Sequence, residues 1–123
     1  MAILDVEPVQ VAHTTIDATL ARRLADAAAA VFGSAPGSVW VRLRPLPAAH
    51  YAENGVVVAA DEAPVFVTVL HAHPAQGDAR VQEAAALTSA IARVFGRSDE
   101  RVHVLYVAAG AGRQAFGGRL VSS

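Results

Sequence analysis

The stretch "APVFVTVL", residues 63–70, has the pattern of a unit's first strand, although it lies past the middle of a 123-residue chain. Pro64 heads a run of β-formers in which Val65, Val67 and Val69 alternate with Phe66, Thr68 and Leu70, the period of two that a strand demands. Proline suits such a first position, where its missing N–H costs no ladder bond. The amino end, "MAILDV" (1–6), opens a comparable run but has Ala2 after Met1.

Around this strand the chain states one order of elements twice. Residues 2–12 predict a strand interrupted at Pro8, which removes a ladder donor. The spacing of Ile16, Leu20, Leu24, Ala27, Ala28 and Val31 predicts a helix over 15–32, opened by a capping-box variant at Thr14-Thr15-Ile16-Asp17 and stopped by Gly33. "SVWVRLRP" (38–45) reads as a strand ended by Pro45, and "YAENG" (51–55) as a turn. In the second half "PVFVTVLHAH" (64–73) is the strand, and Asp78 caps a helix over 79–95 with Ala84, Leu87, Ile91 and Val94 on one face. "RVHVLYV" (101–107) then answers "SVWVRLR", and Gly117-Gly118 answers Asn54-Gly55. A constant offset of 63 links "VFG" at 31–33 to "VFG" at 94–96 and everything that follows, to the glycine pairs. Agreement in type, order and spacing points to an internal duplication. We read one domain over 1–123, with repeat unit one at 2–60 and repeat unit two at 63–121.

Two β-α-β units imply an α+β fold: a four-stranded sheet with both helices on one face. The strands of the second unit are apolar on both sides, with Val65, Val67 and Val69 against Phe66 and Leu70. Strands of that kind are buried on both faces. One helical layer covers one face only, so association of subunits through the other is expected. The chain is 54% hydrophobic; much of this is alanine, which buries little area, and apolar residues beyond the needs of one core would point to a subunit interface.

Composition narrows the chemistry. Ten Lys and Arg against eleven Asp and Glu give a formal charge of −1, with no basic stripe for nucleic acid. The absence of cysteine rules out disulfides, thiolate–zinc sites and a cysteine nucleophile. His71 and His73 share one side of a strand end, but zinc needs three or four ligands, and the spacing supplies no complete set; neither a metal nor a cofactor is expected. No apolar run reaches membrane-spanning length, and no signal-peptide pattern opens the sequence. A cytoplasmic protein is the expectation.

"PVFVTVL" at a unit start, "VFG…SVWVRL", "YAENG" and "RQAFGGRLV" together, in order, resemble the tautomerase superfamily. That superfamily includes 4-oxalocrotonate tautomerase, 5-carboxymethyl-2-hydroxymuconate isomerase and macrophage migration inhibitory factor. The resemblance implies a homotrimer whose inner sheet faces form a barrel. It also implies a catalytic amino-terminal proline that shuttles a proton between carbon and oxygen of an enol or 2-oxo acid, with arginines gripping the carboxylate beside a hydrophobic wall. A general base works best with a pKa near ambient pH, and a free terminal amine starts at about 7.7–8.0.

The sequence departs from that pattern. Ala2 stands where the proline is implied, offering a primary amine after removal of Met1. Pro64 occupies the matching place in the second unit, but its nitrogen is an amide whose lone pair is delocalised. Val11, Ala12 and His13 fill the region of the implied first-strand arginine, and Trp40 and His103 fill that of the second-strand arginine. Arg42, two residues beyond Trp40 on the same side, followed by Arg44, can restore a bidentate grip. The resemblance therefore implies Ala2 nitrogen as base, Arg42 with Arg44 or His103 as anchor for a small carboxylate, and Trp40 with Phe116 as wall. His71 matches a histidine of the related cis-3-chloroacrylic acid dehalogenase, without the arginines that follow it there. Tyr51 and Tyr106 are further wall or acid candidates, and Glu53 and Arg113, in the two hairpins, are candidates to pair across subunits. Two functions stay open: a slow keto–enol tautomerase, or a catalytically inactive paralogue acting as a trimeric ligand-binding or assembly subunit.

Overall fold

The computed structural model describes residues 1–10 and 16–122. Strand β1 (Ala2–Gln10), helix α1 (Leu20–Phe32), β2 (Val39–Leu43) and a two-residue β3 (Leu46–Pro47) come first. β4 (Val65–His71), helix α2 (Gly77–Phe95), β5 (Val102–Tyr106) and a closing hairpin of β6 (Ala115–Phe116) and β7 (Arg119–Leu120) follow. The main sheet runs β2-β1-β4-β5, with β3 beside β1 as a short fifth strand. β1 is parallel to β2 and β4 is parallel to β5, while β1 and β4 meet antiparallel. Each parallel pair needs a crossover, which α1 and α2 provide.

Side-chain alternation decides the layering. Ala2, Leu4 and Val6 of β1, Val65, Val67 and Val69 of β4, and Val102 of β5 pack on Leu20, Leu24 and Ala28 of α1 and on Leu87, Ile91 and Ala92 of α2. These side chains form one buried cluster, so both helices lie on one face, as the α+β reading expects. The intervening residues, Ile3, Asp5, Glu7, Trp40, Arg42, Phe66, Thr68, His103 and Leu105, point to the opposite face.

Several boundaries move. Pro8 does not interrupt β1, because it falls between the two ladders on that side: Val6 pairs with Leu43 and Val9 with Leu46. On the other side Pro8 pairs with Val65, and Val9 N–H donates to the Pro64 carbonyl at 2.9 Å. Residues 11 and 12 of the expected strand lie outside the described residues, as do Thr14 and Thr15 of the expected capping box. Helix α1 begins at Leu20, not at 15, because Asp17 Oδ1 accepts from both the N–H and the hydroxyl of Thr19 at 2.7 Å, folding a turn ahead of the helix. α2 starts at Gly77 with Gln76 as its cap, so Asp78 lies inside the first turn, where a carboxylate still opposes the helix dipole favourably. Both helices end on glycine in the left-handed conformation, Gly33 at φ 64° and Gly96 at φ 66°, as the two "VFG" motifs suggested.

Two arginines tie the head of β4 to the far end of α2. Arg97 Nη1 donates to the carbonyls of Ala63 and Pro64, each at 3.0 Å. Arg101 bonds the Glu62 carbonyl and reaches Glu53 Oε2 at 2.8 Å. Glu53 also accepts from the Tyr51 hydroxyl at 2.5 Å. It is thus engaged within its own chain by Arg101, a pairing not anticipated for a residue matched with Arg113.

Candidate functional site

The first residues of β1 meet more chemistry than any other stretch of the chain. Ala2 is fully buried, pairs with Val39 on one side and His71 on the other, and donates its N–H to the Ser38 carbonyl at 3.0 Å. The Met1 carbonyl accepts from Ala72 N–H at 2.9 Å. β4 is antiparallel to β1, so its carboxy end, with His71, Ala72 and His73, arrives where β1 begins. The alternation that buries Val65, Val67 and Val69 turns His71 to the helical side, where Phe32 meets its ring edge-on at 5.2 Å. His71 Nδ1 accepts the His73 N–H at 3.0 Å, which leaves the proton of the neutral ring on Nε2. Burial holds this imidazole below its ordinary pKa, and the positive amino terminus pushes the same way.

β5 ends beside β4, so Tyr106 lies close to this corner, opposite Val69. Its hydroxyl donates to Glu83 Oε2 at 2.9 Å and the Arg80 guanidinium lies 5.5 Å from its ring centre. Burial, then the Glu83 carboxylate, push the phenol pKa well up, so Tyr106 stays a hydrogen-bond donor. The chain beyond β5 then crosses the amino end of the sheet: Gly110 N–H bonds the His71 carbonyl at 2.9 Å and Ala111 N–H that of Ala72 at 3.0 Å. This path delivers Phe116 onto Trp40, stacked at 4.4 Å with 22° between the planes. Trp40 is level with Ile3, so the stack lies on the open face one residue along β1 from Ala2, whose side chain is in the core on the helical face.

The remaining sequence candidates spread along the open sheet face. Arg42 is level with Asp5 and binds it bidentately, Nε to Oδ1 at 2.6 Å and Nη2 to Oδ2 at 2.9 Å. Arg44 Nη2 lies 4.0 Å from the same carboxylate. The Asp5 hydrogen bonds raise the pKa of the Arg42 guanidinium. His103 pairs with Phe66, which is level with Glu7. Five residues of β1 separate that level from Ala2, about 17 Å at strand rise. Within one chain, then, Trp40 and Phe116 lie by Ala2, Arg42 and Arg44 farther along, and His103 at the far end. His103 instead lines a depression of about 460 Å³ with Glu7, Phe66, Thr68 and Leu105, its ring 5.4 Å from that of Phe66. Among the described residues no group of three or more His, Asp or Glu side chains is placed to hold a metal, and no helix is long and apolar enough to cross a membrane.

Asp5, Ser38, Glu83 and Gln114 were not singled out from sequence. Asp5 had a signal: an acidic residue on the outward side of one strand, facing a neighbouring strand that carries Arg42 on the same side. Ser38 acts through its backbone carbonyl, which residue type does not reveal.

No protein-family model and no curated protein sequence matches the chain. Solved structures do. Pt0534 inactivated by 2-oxo-3-pentynoate superposes with a TM-score of 0.74 at 20% identity, covering 97% of this chain and 94% of that one. A fused wild-type 4-OT forming a symmetric trimer gives the same TM-score, 0.74, at 20% identity and the same coverage, 97% and 94%. Macrophage migration inhibitory factor from Oncomelania hupensis gives 0.72 at 18% identity, covering 98% of this chain and 81% of that one. The fold is the one these solved structures share. The match covers 94% of both Pt0534 and the fused 4-OT chain, and in this sequence alanine follows the first methionine.

Proposed function

We propose that this protein is a keto–enol tautomerase of a small 2-oxo or enol carboxylate, working slowly through the nitrogen of Ala2. The observation that carries the reading is the placement of Ala2 at the head of β1, beside the Trp40–Phe116 stack and across from His71. Removal of Met1 gives up the bond from Ala72 and leaves a primary amine near the Ser38 carbonyl. In ketonisation the amine takes the enol O–H proton and its ammonium form returns one proton to the neighbouring carbon, so the net change is a single proton shift. The Ser38 carbonyl favours the protonated amine, which leaves less of it free to take a proton and is the reason slow turnover is proposed. Arg44, and Arg42 on release from Asp5, would anchor the carboxylate, with Trp40 and Phe116 excluding water. That Pt0534 is inactivated by 2-oxo-3-pentynoate supports a 2-oxo acid as ligand class.

We further propose that three copies close their open sheet faces on one another; fused 4-OT chains of the same fold form trimers. Leu105 is 64% exposed and Trp40 37% on that face, apolar area that association would cover. In such an assembly His103 of one copy can approach the Ala2 end of another. Localisation in the cytoplasm and descent from an internal duplication are parts of the same proposal.

The alternative, an inactive subunit that binds ligands or builds assemblies, is favoured by one observation: Asp5 already holds Arg42. The test is ketonisation of an aryl enolpyruvate by protein whose intact mass shows Met1 removed. Slow turnover abolished by acetylating the terminus supports Ala2 as base. An inert wild type with an active Ala2→Pro variant means a pocket without its base, and inertness of both supports the inactive subunit.

A further inference from the structure

Residues 107–121 form a compact unit laid across the amino end of the sheet. Its own hydrogen bonds stitch it together: Arg113 N–H and Gln114 N–H to the Gly110 carbonyl at 2.7 Å, Gly112 N–H to Val121 O at 2.7 Å, and Val121 N–H to Gln114 O at 2.8 Å. Its backbone ties across to the end of β4 are three, from Val107 to Val69 at its base, from Gly110 to His71 and from Ala111 to Ala72, and Phe116 rests on Trp40. A segment bound better to itself than to what lies beneath can move as a body.

Gln114 supplies a reason for it to move. It is 5% exposed, and neither Oε1 nor Nε2 has a hydrogen-bond partner among the described residues. A primary amide offers two donors and an acceptor with two lone pairs, and burying them unpaired opposes the closed state. The amide lies against Gly110, where an added methyl would sit 2.0 Å from Oε1. The φ of Gly110 is not in the left-handed region, so its backbone would accept alanine, and the three atoms nearest an added Cβ all belong to the Gln114 side chain.

We infer that residues 107–121 are a strap that opens and closes over the head of β1, and that the unpaired Gln114 amide, seated on Gly110, sets the balance toward opening. Opening hydrates the amide, lifts Phe116 from Trp40 and gives ligands access to Ala2. The inference stands on these contacts alone and holds whether or not Ala2 is a base.

The test is amide hydrogen exchange of Gly110 and Ala111 in the full-length protein, with the emission of Trp40, the chain's single tryptophan, as second readout. Gln114→Leu and Gln114→Met remove the amide and keep the bulk; each is expected to slow exchange at both positions by about tenfold, while Leu87 and Ile91 in the core keep their rates. Gly110→Ala drives the amide out and is expected to speed exchange and shift Trp40 emission to the red. Gly110→Ala with Gln114→Ala is expected to reverse both changes. Unchanged exchange in Gln114→Leu and Gln114→Met would overturn the inference. So would exchange at Gly110 and Ala111 in the wild type that proceeds only with global unfolding.

Discussion

Ala2 and His71 face each other across the antiparallel ladder of β1 and β4, so the first nitrogen of the strand and an imidazole share one corner. Burial, the amino terminus and His73 all lower the His71 pKa, against a smaller pull upward from Glu83 on α2. A histidine whose folded pKa lies below its ordinary 6.5 binds fewer protons folded than unfolded. Its contribution is therefore fully present above that value and is lost as pH falls from there toward the folded pKa. The urea midpoint of the wild type should decline more steeply between about pH 7 and pH 5 than that of His71→Gln. Parallel pH profiles would show that His71 is as free to protonate folded as unfolded.

Asp5 and Arg42 test whether the open face holds an anion site. Both donors that would grip a ligand carboxylate bidentately are given to Asp5. Asp5→Asn keeps the shape and removes the competing charge, so Arg42 and Arg44 should both become available. Pyruvate, titrated calorimetrically, should bind roughly tenfold more tightly to Asp5→Asn than to the wild type, and the gain should vanish in Asp5→Asn with Arg42→Ala. An affinity unchanged by Asp5→Asn would remove Arg42 from the proposed site.

How far the sequence carries the structure depends on the range of the interaction concerned. Alternation in 63–70 and helical spacing in 79–95 are local patterns, and both elements appear where they were expected. The onset of α1 at Leu20 was harder to see because Asp17 spends its side chain on Thr19, a choice invisible to apolar periodicity. Trp40 and Phe116 were each read as wall residues, and the crossing of the sheet end by residues 107–114 explains why they meet. The engagement of Arg42 by Asp5 depends on the register of β1 against β2, and the isolation of Gln114 depends on what is missing around it. The first left only the weak signal of an acid and a base on the same side of neighbouring strands, and the second leaves no trace in residue type or spacing. The position of His103 relative to Ala2 is set by strand order: β4 lies between their strands, and the register puts them at opposite ends.

The two helix ends give a stability prediction free of packing. A Cβ at Gly96 would meet nothing within 4 Å, and its φ is 66°. The cost of Gly96→Ala is therefore backbone strain alone, about 1–2 kcal/mol in urea unfolding. Gly96→Asn should lose less, because asparagine tolerates the left-handed region. Gly33→Ala should cost a similar amount and add to Gly96→Ala, since each glycine caps its own helix. Equal losses for alanine and asparagine at Gly96 would point away from conformation as the cause.

Leu105 and Val81 have almost the same exposure, 64% and 69%, yet they lie on opposite layers. Leu105 projects from β5 on the open sheet face, and Val81 projects from the outer side of α2. If three copies meet through their sheets, Leu105→Asp places a carboxylate in a dry interface, where its desolvation goes uncompensated. Native mass should then fall from three times the 12.7 kDa chain mass to one. The same charge at Val81 stays in water and should leave the mass unchanged. Dissociation by Val81→Asp but not by Leu105→Asp would move the contact to the helical layer. A single-chain mass already present in the wild type would remove the trimer and, with it, any role for a neighbouring copy's His103 near Ala2.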